Sequence, residues 1–239
     1  MPRRFVLTVA ATLAAVSALA FTSACSSYSG EQQILRKYFQ ANQLRDQSTV
    51  GNVATVEFNP LTDGVVQSFT VTAVSPERRQ TLNIRQYADE FRKAKEDNEA
   101  FTKEVNKYQR ENAEEIDRVM RAANGPRPLR GKDAELHAAW TKWVADRVDH
   151  TKRLSETRHK LANETRVAEL STFNALKPID INEYDGELIS KDVTVAAKVK
   201  KPKGEVLDRT LVVTVEKAIL KGPAGERDGR WIITDVKGK

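Results

Sequence analysis

Apolar residues recur at seven-residue spacing along the middle of the chain. One row runs Phe91, Asn98, Val105, Asn112 and Val119; a second runs Tyr87, Ala94, Phe101 and Tyr108. Two such rows predict a helix from Arg85 to Ala123 that buries one stripe and exposes the rest. Near its end the stripe slips by one residue, to Ile116 and Met120. Asn124-Gly125-Pro126 stops the helix, glycine by permitting positive φ and proline by lacking an amide hydrogen. Asp133 is the expected N-cap of a second helix reaching Leu176, with a seam of Leu136, Trp140, Trp143, Val144, Val148, Leu154, Leu161, Thr165, Ala168 and Thr172. A short link makes the two helices antiparallel. Folding at mid-loop sets Met120 against Leu136, Ile116 against Trp140, Phe101 against Leu154 and Ala94 against Leu161. At 1.5 Å per residue each arm is roughly 60 Å long.

The flanks carry a different pattern. An amphipathic helix holding Ile34, Leu35, Tyr38, Phe39, Ala41 and Leu44 opens the first flank. Two β-type runs follow, Val53 to Phe58 and Val65 to Val74, around the turn-rich Asn59-Pro60-Leu61-Thr62-Asp63-Gly64, and Ser75-Pro76 closes them. The second flank holds three more runs: Val193 to Val199, Leu211 to Leu220 and Trp231 to Val236. Their turns contain Pro202-Lys203-Gly204 and Gly222-Pro223-Ala224-Gly225. The predicted fold is α+β, an N-terminal helix with an antiparallel sheet of about five strands and an inserted antiparallel two-helix coiled-coil hairpin. Residues 31–84 and 177–239 form the discontinuous α+β domain, 117 residues in all, and 85–176 the insertion. On this division the flanks are a complete domain without the hairpin.

Charge sharpens the division. Of the whole chain 30% is charged, yet 19 Lys/Arg and 17 Asp/Glu fall between Arg85 and Leu176. Many stand as acid-to-base pairs four apart, such as Asp89 with Lys93 and Glu114 with Arg118, which marks solvated helix faces.

The N-terminus supplies an address. Arg3 and Arg4 precede an apolar or small stretch from Phe5 to Ala20, and no acidic residue occurs before Glu31. This is the form of an export signal, too short for a comfortable membrane span. Two cleavage sites are open: Ala18-Leu19-Ala20 suits release of a soluble protein, whereas Thr22-Ser23-Ala24-Cys25 resembles a bacterial lipobox, with Thr22 where leucine is usual. Cys25 is the chain's only cysteine, so it has no internal disulfide partner. The expectation is a signal peptide over residues 1–24, lipid attachment at Cys25, and a tether over 25–30. By resemblance the mature terminus carries three acyl chains, a stable anchor. Loss of Arg3 and Arg4 takes the net charge from +6 to +4, too small an excess to argue for nucleic acid.

The order of helix, two strands, helices and three strands, ending in Gly229-Arg230-Trp231-Ile232-Ile233, resembles the nuclear-transport-factor-two-like fold found in small exported lipoproteins. That cone-shaped fold hosts enzymes, binding modules and subunits, so the resemblance implies no single activity. A second resemblance is to lipid-anchored periplasmic adaptor subunits of export systems, whose long α-hairpin is bracketed by lipoyl-like segments. Asn59 to Val66 and Tyr184 to Ile189 echo those segments.

Chemistry is sparse. His137, His150 and His159 are spaced by thirteen and nine residues, which puts no two on one turn. No serine stands in a nucleophile elbow and no glycine-rich phosphate loop follows a strand. Asp63, Asp192 and Asp235 are the carboxylates that could line a cone's pocket, with nothing in their spacing to single them out. Lys198 to Lys203 form a basic turn. No catalytic residue, metal site or cofactor is assigned.

The expected function is a non-enzymatic interaction or scaffold module of the cell envelope, held on the periplasmic or extracellular side by its lipid. Ser26 after the cysteine resembles outer-membrane-directed lipoproteins where the host has two membranes. The hairpin would meet another envelope protein or a second copy through Arg127, Arg130, Trp140 and Trp143. The alternatives are a small-ligand-binding or enzymatic cone and an adaptor-like subunit. The anchor is directly testable: Cys25→Ser should move the protein from the membrane fraction to the soluble one, and a mature wild type beginning at unmodified Phe21 by intact mass contradicts it.

Overall fold

A computed structural model describes residues 28–238. The signal-like segment and Cys25 lie outside the described residues. The fold is α+β, with an N-terminal helix, a six-stranded sheet and a two-helix insertion. Two compact units divide it. One comprises residues 28–76, 191–215 and 232–238, the other 77–190 and 216–231. Two long strands, β3 (Asp185–Lys200) and β4 (Val206–Gly222), run through both. In β4 the alternation of buried residues slips at the division, from Leu211, Val213 and Val215 to Ala218 and Leu220.

The first unit is built on α1 (Ser29–Leu44) and α2 (Gln47–Val53). Arg45, at φ 56°, ends α1 and leaves Leu44 exposed. The Asp46 side chain accepts from the Thr49 amide and starts α2. That cap overturns one expectation: Val53 to Phe58 is not a strand. Val50 and Val53 are buried one helical turn apart, and only Ala54 makes a bridge, to Ile233. Buried Asn42 ties the segment down, donating to Tyr38 O at 2.8 Å and accepting from the Phe58 amide at 3.1 Å. Phe39 packs edge-on to Phe58 and Phe69. Strand β1 (Val65–Val74) pairs antiparallel with β3, from Val65 opposite Lys200 to Val74 opposite Val193. Val193, Val195, Ala197 and Val199 alternate inward along β3, and β6 (Ile232–Lys237) pairs with β4.

The second unit contains β2 (Arg78–Leu82), antiparallel to the start of β3, and β5 (Gly225–Asp228), which folds back on β4 through Pro223-Ala224. Gly225 takes φ 88° there. Neither short strand shows an apolar alternation, so of the five strands the sequence predicts four are found, and β2 and β5 bring the sheet to six. The hairpin consists of α3 (Ile84–Glu111), α4 (Ala113–Ala123) and α5 (Lys132–Thr172). The expected continuous first helix is broken at Asn112, whose side-chain amide donates to Tyr108 O at 2.9 Å. The break falls just before the seam slips, and it absorbs the phase error. The second helix ends at Thr172, four residues before the expected Leu176.

The hairpin's root is part of this unit's core. Leu82, Ile84, Ala168, Tyr184, Ala218 and Leu220 form one buried cluster, flanked by Leu161, Ile179, Ile181 and Leu188. Buried Ser171 on α5 donates to Arg230 O at 2.8 Å and accepts from the Ala218 amide at 3.0 Å. Gly229 makes that approach possible, because a Cβ there would stand 2.1 Å from the Ser171 hydroxyl. Compact units therefore divide the chain elsewhere than at 84/85 and 176/177. Replacing residues 103–148 by a short Gly linker should preserve cooperative thermal unfolding, whereas replacing 85–176 should abolish it. Cooperative melting of the larger deletion would show that α5's last turns are dispensable.

Candidate functional site

The hairpin's geometry follows from one stripe on each arm. Every member of the two seven-residue rows on α3 and α4 is buried or half-buried, with Ala94, Val105 and Val119 fully buried. The pairing across the seam differs from mid-loop folding by about one helical turn. Phe101 stacks on His150 at 4.2 Å and 12°, and lies 5.5 Å from Trp143. Tyr108 is 5.6 Å from Trp143. Arg158 lies 5.9 Å over the Phe91 ring. The link is used unequally: Gly131, at φ 53°, starts α5 at the loop's last residue. Asp133 does not cap the helix. Its carboxylate instead takes both guanidinium nitrogens of Arg118, at 2.8 and 2.9 Å, and ties α5 to α4.

This register corrects the seam of α5. Its inward positions include Leu136, Trp140, Trp143, His150, Leu154, Thr157 and Leu161, all buried or half-buried. Val144 and Val148, expected inside, are 43% and 61% exposed. Val144 follows Trp143, so either residue could have led the stripe. Only the partner helix decides, and its Phe101 and Tyr108 take Trp143.

The four candidate contact residues do not gather at one point. Arg127 and Arg130 are exposed on the loop. Arg127 joins Ala123, Gly125, Pro126, Pro128, Leu129 and His137 around a shallow cavity of about 450 Å³. Trp140 and Trp143 stand about 14 and 18 Å farther along α5 by helix rise. Trp143 is a packing residue of the seam and Trp140 is half-buried.

The carboxylates have structural duties. Asp63 accepts from the Asn59 amide at 2.9 Å, closing its turn. Asp192 accepts from Thr214 Oγ1 at 2.9 Å, and its backbone amide and carbonyl bond to Ser75. Asp235 lies 3.8 Å from Lys237. In the basic turn, Lys198 pairs with Asp208 at 2.8 Å and Lys201 donates to Asp63 O at 2.9 Å. The Lys191–Glu31 pair is the least solvated among these charges; despite the opposing effect of burial, Lys191 holds the Glu31 carboxyl below its ordinary range. Burial pushes the Tyr38 phenol well up.

A cavity of about 610 Å³ lies along Glu169 to Ile181, bordered by Phe173, Pro178 and Ile179. Its lining carries only Glu169, Lys177 and Asp180 as ionisable side chains, and Asp180 already accepts from the Asn182 amide and side chain. Nucleophile, base and orienting group do not converge there. Among the described residues no group of three or more His, Cys, Asp or Glu could hold a metal ion, and no helix is long and apolar enough to cross a membrane.

Comparison with protein-family models, curated proteins and solved structures finds no match for this chain.

Hydrogen bonding to Arg118 holds the Asp133 carboxyl below its ordinary range. A depressed folded pKa stabilises the fold above the unfolded value near 4, and that contribution is lost as pH falls through the folded value. Asp133→Asn should therefore speed amide exchange over residues 124–136 at pH 7, by a few-fold, with the difference closing below about pH 4. Equal protection at pH 7 contradicts the pairing.

Proposed function

We propose that the protein is a non-enzymatic interaction module of the cell envelope, lipid-anchored through Cys25, which meets its partner through the helical hairpin. The observation that carries this reading is the hairpin's uncovered surface. From Leu161 outward, α5 continues for 29 residues to Lys132, about 44 Å. Over this length the seam covers one stripe of each helix and leaves Met120, Val144 and Val148 in solvent. Ordering so many residues costs conformational entropy that a two-helix seam barely offsets, so an arm of this length is best explained by a contact made along it. A polar tether after Cys25 and an export-type leader support placement on the far side of a membrane, on the outer membrane where there are two. The order of the flanking elements keeps its resemblance to nuclear-transport-factor-two-like lipoproteins as part of this reading.

The loop is the part of the hairpin most open to a second protein. Arg127 and Arg130 are exposed and carry like charge beside Leu129 and His137. A partner surface bearing carboxylates fits them. Photo-crosslinkers at Pro128 and Leu129, between the two arginines, should capture a partner in intact cells. Arg127→Ala with Arg130→Ala should weaken that capture about tenfold without changing the melting temperature or membrane fraction. Trp143→Ala, by contrast, should lower hairpin stability, because Trp143 packs on Phe101 and Tyr108. Absence of loop crosslinks under conditions that capture known envelope complexes overturns the loop as the contact.

A further inference from the structure

Beside the seam of α5 runs a second row of heptad-spaced positions, each one residue after a seam position or in step with it. It reads His137, Thr141, Val144, Val148, Thr151 and Ser155. No member is charged, and all but His137 are exposed. The row one residue before the seam is different, charged at every position but Ala139: Glu135, Ala139, Lys142, Asp146, Asp149, Arg153 and Glu156. The first arm repeats the contrast. One residue after the outer part of its seam stand Thr102, Asn106, Gln109 and Ala113, uncharged and exposed, with Arg92, Lys95 and Glu99 continuing the row toward the root; one residue before stand Asp97, Ala100, Glu104, Lys107 and Glu111.

Both uncharged rows lie on one side of the hairpin. Successive residues of two antiparallel helices turn in opposite senses when viewed from one end, so equal steps from the facing stripes lead to the same side. The ion pair of Asp97 with Arg153, at 3.1 Å, shows this directly, because each stands one residue before its seam and they meet on the charged side. The observed register also sets Thr102 level with Val148 and Ala113 level with His137. On this side the hairpin is uncharged from Thr102 to Ala113 on one arm and from His137 to Ser155 on the other, while the ion-paired Lys95 and Glu99 continue the first arm's row toward the root, level with Ser155 and Thr151.

We propose that the uncharged flank packs against the same flank of a second copy, so that two hairpins make a four-helix bundle. This rests on the reading of the hairpin as the interaction element. Two adjacent heptad stripes on one helix are what a bundle of more than two helices requires, one stripe for each neighbour. Composition selects the occupant. A charged partner would bury its charges against Val144 and Val148 without counter-ions. A wholly apolar partner would leave Asn106, Gln109, Thr141 and Thr151 unpaired on burial. The flank's own mixture of hydroxyls, amides and two valines supplies donors, acceptors and apolar contact together, and a two-fold axis presents it to itself. With helices about 10 Å wide and rows of about 17 and 27 Å, the contact covers roughly 900 Å² over both copies. That is the size of a weak, reversible association.

The test is sedimentation of the full chain in mild detergent across a concentration series. Wild type should shift from one chain to two as concentration rises. Val144→Glu with Val148→Glu should weaken dimerisation at least tenfold, and Thr102→Glu with Asn106→Glu should do the same from the other arm. All four positions are exposed, so helix content and melting temperature should hold. Asp149→Lys with Lys160→Glu, on the charged side, should leave the dimer intact. A wild type that stays monomeric to 1 mM, or a dimer indifferent to both pairs of glutamates, overturns the proposal. Crosslinking from Pro128 and Leu129 reports the loop separately: a loop partner without a dimer sinks self-association alone, and a dimer without a loop partner sinks the loop contact alone.

Discussion

A helix in a two-helix hairpin can bury only one stripe, and the rest of this structure depends on how that limit is met. The stripe is made by Ala94, Phe101, Val105, Tyr108 and Val119 on one arm and by Trp143, His150, Leu154 and Thr157 on the other. Aromatic contacts set the register, and the register decides which neighbours are inside. Because Phe101 and Tyr108 take Trp143, the valine beside it faces out. The exposed flank and the tip's geometry are consequences of that pairing.

At the other end the hairpin is not a detachable rod. Ser171 satisfies two backbone groups brought together beside Gly229, and Ala168 lies in the same core as Tyr184 and Leu220. A buried donor or acceptor left unpaired costs about 1–3 kcal/mol, so these bonds fix the last turns of α5 on their own unit's strands. The arm is anchored at its root and covered on one stripe beyond it. Asp63, Asp180 and Asp192 are engaged in hydrogen bonds that hold local structure. What the hairpin offers is surface, with its two flanks sorted by charge.

Much of this was legible in the amino-acid order. The seven-residue recurrence marked both arms, and the slip at Ile116 corresponds to the break at Asn112, although one turn on it is Val119 and not Met120 that is buried. Strand alternation found β1, β3, β4 and β6. Three things escaped. Val53 to Phe58 reads as β-type by composition, yet Val53 ends a helix capped at Asp46 and only Ala54 beyond it makes a bridge, to Ile233. Strands β2 and β5 have no apolar alternation because nearly all their side chains face solvent, and pairing alone makes them strands. The register escaped because Trp143 and Val144 are adjacent and both apolar, so only the opposite helix could choose between them. The uncharged flank became visible once that choice was made.

The central claim is that the hairpin's sides, and not a pocket, carry the protein's contacts. A photo-crosslinker placed singly at each exposed position of α5 from Thr141 to Glu156, in intact cells, tests it most directly. The account predicts crosslinks that recur with heptad spacing, at Thr141, Val144, Val148, Thr151 and Ser155, and fade at Lys142, Asp149 and Glu156. Uniform crosslinking around the helix, or none at any position, would contradict it.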